Sequence, residues 1–142
     1  GRGCLGRPWL FADLVDAFTG GNHRVLPTLH EVSDVMFRHG ELIVDYFESE
    51  DRGCRDLRKH MAWYLKGFRV NSELRRQFGM VGSLKELRSL LDQLDDQPYP
   101  VEIGEKPRGR TSSGRPPTLP DGWLNDPDEM IHLDAEDMFS GG

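Results

Sequence analysis

The sequence predicts an all-α fold: a small four-helix bundle-like domain with a short lead-in and a largely irregular tail. Three observations point to it. Between residues 28 and 97 the apolar residues recur with the period of amphipathic helices. Thr28-Leu29-His30-Glu31 and Ser83-Leu84-Lys85-Glu86 both have the hydroxyl-to-carboxylate spacing of a capping box, which marks helix starts. No segment alternates apolar and polar residues as a half-buried strand would. At 142 residues the chain suits one ordinary domain, or a smaller one with a tail, and is too short for a self-contained (β/α)₈ barrel of about 250 residues.

The elements follow in order. Pro8 suits a first helical turn and Gly20 a helix end, so a helix is predicted over about 8–18, carrying Trp9, Leu10, Phe11, Leu14, Val15 and Phe18. From Thr28 to about Glu48, Leu29, Val32, Val35, Met36, Ile43, Tyr46 and Phe47 share one side, opposite Glu31, Asp34, Arg38, Glu41, Asp45 and Glu48. A helix over roughly 54–67 places Leu57, Met61, Tyr64, Leu65 and Phe68 on one face. A short helix follows Ser72, and another spans about 83–95 with Leu84, Leu87, Leu90, Leu91 and Leu94. Short connections between amphipathic helices make a bundle. Residues 98–142, with PYP at 98–100 and KPRGRTSSGRPPTLPDG at 106–122, cannot bury enough apolar surface to offset the entropy of ordering. Short docked pieces around Trp123-Leu124 and Met130-Ile131 are compatible with that tail.

The net charge of −6 speaks against a polyanionic partner, but its distribution does not. Residues 52–76 hold eight Lys and Arg against Asp56 and Glu73, a local +6, whereas residues 98–142 hold four against nine acids, a local −5. On the helix over 54–67, Arg55, Arg58, Lys59, Lys66 and Arg69 fall within an arc of about 100°, opposite the apolar face. Trp63 flanks this strip, where its ring could stack a base or sugar. Arg75 and Arg76 extend the positive charge. A solvated face, neutralised by Asp56 and by acids of the preceding helix, accounts for the same charges equally well.

Other chemistry is sparse. Gly1-Arg2-Gly3 before Pro8 has the makings of a phosphate-binding turn, although three residues also read as an ordinary tight turn. His23, His30, His39, His60 and His132 show no metal-ligand spacing, and no metal site is predicted. Cys54 lies between Arg52 and Arg55 but reads as a structural thiol, and two cysteines make no disulfide framework. Ser112-Ser113 reads as linker. No nucleophile–base arrangement is present, and no apolar run is long enough to span a bilayer.

In combination, GRGCLGRPWLF at 1–11, RHG at 38–40, RDLRKHMAWYLKGF at 55–68 and SELRRQF at 72–78 resemble the C-terminal part of bacterial tRNA-dihydrouridine synthases. The tail is similar to the C-terminal extension of actinobacterial members. The resemblance implies a flavoenzyme that reduces the C5–C6 double bond of tRNA uridines, using FMN recharged by NADPH. It also implies a (β/α)₈ barrel followed by a helical domain that cradles tRNA. Residues 1–27 would then be the remnant of the last βα unit, 28–97 the helical tRNA-binding domain, and 98–142 the tail. Gly1 and Arg2 match the family positions that help hold the FMN phosphate. The family's catalytic cysteine, lysine and histidine lie on earlier barrel loops, so no catalytic residue is expected in this chain, and Cys4 and Cys54 do not match that motif.

The expectation is therefore a cytoplasmic tRNA partner, no membrane and a monomeric enzyme, of which this segment alone is inactive. The apolar residues of the helix over 8–18 would normally rest on the barrel and would otherwise be exposed. The tRNA contacts expected from charge and helical phase are Arg55, Arg58, Lys59, Trp63, Lys66, Arg69, Arg75 and Arg76. The alternative is a stand-alone, non-enzymatic helical module that binds RNA or an acidic protein.

Overall fold

The computed structural model describes residues 2–106 and 108. Gly1 and the pieces around Trp123 and Met130 lie outside them, as do His132 and Ser112-Ser113. A single 3-10 turn, Arg2–Cys4, precedes α1 (Leu10–Phe18), α2 (Leu29–Phe47), α3 (Glu50–Tyr64), α4 (Ser72–Phe78), α5 (Leu84–Leu91) and α6 (Val101–Gly104). No strand occurs among the described residues.

Local chemistry sets the boundaries. Both halves of the capping box at Thr28 and Glu31 form, and α2 starts there. At its other end Glu48 takes a left-handed φ of 49°, and Ser49 then accepts the Arg52 N–H as the cap of α3. Two residues thus turn α2 into α3, four positions earlier than the periodicity suggests. The two helices pack at close quarters: a Cβ on Gly53 would lie 2.7 Å from Val44 Cα. Asn71, not Ser72, caps α4 by accepting the Leu74 N–H. Ser83 caps α5, but Glu86 reaches back to the Gly82 N–H rather than completing the box on Ser83.

The core joins Leu29, Val32 and Met36 of α2 to Leu57, Met61 and Tyr64 of α3, Leu74 and Phe78 of α4, and Leu87, Leu90 and Leu91 of α5. Leu65, Phe68, Val81 and Leu94 complete it. Tyr46, expected on the buried side of α2, is 80% exposed.

Two regions depart from an ordinary bundle. In α1 the polar side faces the chain. Asp13 is its buried residue and accepts the Val25 N–H at 2.7 Å, while Asp16 accepts the His23 N–H at 2.7 Å. Phe11, Leu14, Val15 and Phe18 point to solvent, Phe18 at 89% exposure. Leaving such side chains in water forgoes roughly 1.5–3 kcal/mol each. At the other end, residues 98–106 and 108 fold back over the bundle instead of beginning an irregular tail at 98. Tyr99 meets Trp9 and Phe68 edge-on, both at 6.0 Å between ring centres. Arg108 is buried, and its guanidinium donates to the carbonyls of Leu5, Trp63 and Gly104.

Candidate nucleic-acid interface

α3 buries Gly53, Cys54, Leu57, Met61 and Tyr64, which leaves Arg52, Arg55 and Lys59 exposed on other sides. The strip is less bare than a count from residue 52 suggests, because the helix begins earlier. Asp51 pairs with Arg55 at 2.8 Å, and Lys59 pairs with Asp56. Exposed pairs of this kind are worth about 0–1 kcal/mol, so a phosphate can displace the carboxylate, though the acid stays nearby as a competing charge. Arg58 is half-buried and its Nε donates to the Val81 carbonyl at 2.8 Å, tying α3 to the turn before α5.

Beyond α3 the helical phase no longer applies. The helix ends at Tyr64, and Gly67 has a φ of 88°. Lys66 and Arg69 therefore leave the α3 face where a helix to 67 would place them. Lys66 Nζ donates to the Lys106 carbonyl at 3.2 Å. The backbone N–H and C=O of Arg69 both bond the Gln97 side chain at 2.8 Å, and the Arg69 side chain is exposed without an ion pair among the described residues. Arg75 points inward: its guanidinium donates to the carbonyls of Val70, Leu65 and Phe68 and holds the turn between α3 and α4. Arg76 forms a two-pronged pair with Glu73, whose hydrogen bonds from Arg76 and Gln77 pull its carboxyl down to about 2. Of the eight expected contacts, Arg58 and Arg75 thus have direct structural work within the fold.

Trp63 is half-buried at the end of an aromatic row. Its ring lies 5.5 Å from that of His60, which lies 4.8 Å from that of His39, and His39 Nδ1 is 3.1 Å from the Tyr64 hydroxyl. Burial, above other influences, lowers both histidine pKa values and favours neutral imidazoles. His39 also lines a cleft of about 550 Å³, with Pro8, Val35, Leu42 and Tyr64 and the charged residues Asp34 and Arg38. Cys54 is fully buried, and burial raises its pKa, as befits a structural thiol. No group of metal-ligating side chains occurs among the described residues. Arg2 is exposed, and nothing lies within 4 Å of the position a Gly3 Cβ would occupy.

The dihydrouridine synthase (Dus) family model matches residues 1–99, which carry α1 to α5 and the turns just described. The chain belongs to the dihydrouridine synthase family. It is 52% identical to a probable tRNA-dihydrouridine synthase of Mycobacterium leprae over 100% of this chain and 37% of that protein. With the probable tRNA-dihydrouridine synthase of Mycobacterium tuberculosis H37Rv the identity is also 52%, over 100% of this chain and 36% of the relative. The tRNA-dihydrouridine synthase B of Pasteurella multocida is 36% identical over 61% of this chain and 26% of its own length. The chain thus spans little more than a third of its curated mycobacterial relatives, and the likeness to these extends through the tail. No solved structure matches it. Sequence reasoning missed the hydrogen bonds of Arg7, Lys106 and Arg108 at the chain turns, because each residue lies outside the helical periodicity that guided the choice.

Proposed function

We propose that this chain is the tRNA-gripping portion of an FMN-dependent tRNA-dihydrouridine synthase. The observation that carries the proposal is the 52% identity, over the whole chain, to probable enzymes of that activity of which it spans 36–37%. In this reading FMN, reduced by NADPH, would supply a hydride to the uridine C5–C6 bond, a group of the barrel would supply the proton, and this segment would supply substrate grip. Arg55, Lys59, Arg69 and Arg76 offer exposed cations to RNA phosphates, and half-buried Trp63 offers a ring for stacking. Arg58 and Arg75 support the turns that position the others. No helix among the described residues is long and apolar enough to cross a membrane, in keeping with a cytoplasmic tRNA partner.

Residues 1–27 are read as the last βα unit of the barrel. The support is the outward apolar side of α1, which a barrel wall would cover. The exposed Arg2 and the open space at Gly3 fit the approach of a flavin phosphate, with Gly1 completing the turn.

The test is direct binding. The chain should bind unmodified tRNA with an affinity that falls steeply with salt. Arg55→Ala/Lys59→Ala/Arg69→Ala should weaken it and flatten the salt dependence by roughly two units of slope. The same chain should neither retain FMN through gel filtration nor reduce uridine. Salt-independent binding, or none, in a shift assay refutes the grip; stoichiometric yellow flavin refutes the division of labour.

A further inference from the structure

We infer that the strap ending at Arg108 is a brace between the lead-in, residues 2–27, and the end of α3, and that Arg108 is the positioning residue that holds the two at one angle. Its enzymatic consequence rests on the synthase reading above: the brace aligns the barrel's last unit with the RNA-gripping helices.

The lead-in is folded largely on itself. Asp13 and Asp16 of α1 accept the amide protons of Val25 and His23, both within the lead-in, while Phe11, Leu14, Val15 and Phe18 face solvent. Its contacts with the bundle gather at the start of α1. A Cβ on Gly6, whose φ is 66°, would lie 2.4 Å from the Trp63 carbonyl carbon, and Trp9 packs against the core. Farther on, a cleft of about 420 Å³ opens between Trp9 and residues 23–27 on one side and Glu31 and Val35 of α2 on the other. Contacts confined to one end fix where α1 begins and resist its rotation weakly.

The strap supplies the missing restraint, because two of its side chains touch both parts at once. Tyr99 meets Trp9 of the lead-in and Phe68 beyond α3, each edge-on at 6.0 Å between ring centres. A single Arg108 nitrogen, Nη1, donates to the carbonyls of Leu5 and Trp63, and Nη2 donates to the Gly104 carbonyl at 2.8 Å. Between these points Glu105 pairs with Arg24 of the lead-in, and the Lys106 carbonyl accepts from Lys66 Nζ at 3.2 Å. Glycine lets the strap lie this close: a Cβ on Gly67, whose φ is 88°, would stand 2.8 Å from Pro100 Cγ. Trp63 belongs to the last turn of α3, where the helix presents its negative end, so a guanidinium with several donors suits the bridge.

The bridge spans the two halves of the proposed task. Leu5 follows the turn at Arg2 and Gly3 that fits a flavin phosphate, and Trp63 lies on the helix that carries Arg55 and Lys59. Arg108 is buried and spends these donors on main-chain carbonyls, so it acts on geometry rather than on a ligand. A misplacement of about 1 Å between reacting partners can cost on the order of 100-fold in rate while the grip itself is kept.

Spin labels on Phe18→Cys in α1 and Lys85→Cys in α5, both exposed positions, read the angle in this chain, with Cys4→Ser as the background. One narrow distance is expected; Arg108→Ala should broaden it about twofold and Arg108→Lys by less, with thermal unfolding of the bundle retained. An unchanged distribution in Arg108→Ala overturns the brace, and should that variant fail to fold, Arg108→Lys decides on the same terms. In the full-length enzyme carrying this segment, Arg108→Ala should bind tRNA within about twofold of the native protein and keep flavin reduction by NADPH, while turnover on tRNA falls roughly tenfold. Affinity lost in step with turnover would mean that Arg108 only maintains the grip, which overturns the positioning role. If the native enzyme does not reduce uridine, the synthase reading falls, and the label distances alone decide the brace.

Discussion

Arg108→Ala probes the attachment of the 98–108 strap. The guanidinium bonds three carbonyls, those of Leu5, Trp63 and Gly104. Hydrogen bonds from charged groups are worth about 1.5–3 kcal/mol each, which would total several kcal/mol if they added. They do not add, because burying the guanidinium costs several kcal/mol and its Nε meets no hydrogen-bond partner of normal geometry among the described residues. A net loss of about 2–3 kcal/mol follows. It should appear locally, since the core of Leu57, Phe78 and Leu87 does not depend on the strap. Hydrogen exchange reads this loss at the Gly104, Glu105 and Lys106 amides, which bond the carbonyls of Pro100, Val101 and Ile103. At about 1.36 kcal/mol per decade, their exchange should accelerate roughly 30- to 150-fold, with the α3 and α5 amides nearly unaffected. Arg108→Lys should fall between, because a single ammonium cannot span three carbonyls. Acceleration of less than about threefold would show that aromatic packing around Tyr99, not the arginine, holds the strap.

Three further outcomes follow from the fold. Gly53→Ala gains about 1 kcal/mol of helix propensity but drives a Cβ to 2.7 Å from Val44 Cα, so net destabilisation of about 1–2 kcal/mol is expected in urea unfolding; an unchanged midpoint would mean the α2–α3 approach is looser than described. His39 and His60 have lowered pKa values, chiefly through burial, so the unfolded chain binds more protons below about 6.5. Stability should be level above pH 7 and decline as pH falls through 6.5, and His60→Gln should lessen that decline; Glu73, held at about 2, does not titrate in this window. Cys54 should resist thiol reagents in the native state and react on denaturation, and native-state labelling at the rate of an exposed thiol would contradict its burial.

Side chains that repeat with a helix were legible in the sequence, and those that act at chain reversals were not. Leu57, Met61, Tyr64, Leu65 and Phe68 were expected on one face, and each is no more than 5% exposed. Tyr46 fits the same periodicity but sits in the last turn of α2, where no neighbour covers it. The strap escaped notice because Pro98, Pro100 and Pro107 break any period. Its docking depends on Tyr99 lodging against Trp9 and Phe68 and on Arg108 at its end, which reaches the distant Leu5 carbonyl. The available signal was Tyr99 itself, a large ring between two prolines with no other reason to be there.

The same limit explains the candidate site. A helical wheel assigns faces only while the helix lasts, and α3 stops at Tyr64 because Gly67 turns the chain. Counting charges from residue 52 set Arg55 on a bare strip, although Asp51, one residue outside the window, pairs with it. Carried past its end, the wheel assigned Lys66 to that strip, whereas its Nζ donates to the Lys106 carbonyl. Both errors have one physical origin: net charge along a chain becomes potential at a surface only after turns decide which carboxylates sit beside which cations. In this domain the chain leaves carboxylates beside the α3 cations, Asp51 by Arg55 and Asp56 by Lys59. An RNA backbone reading the surface by potential would therefore compete with those carboxylates on the flank of α3.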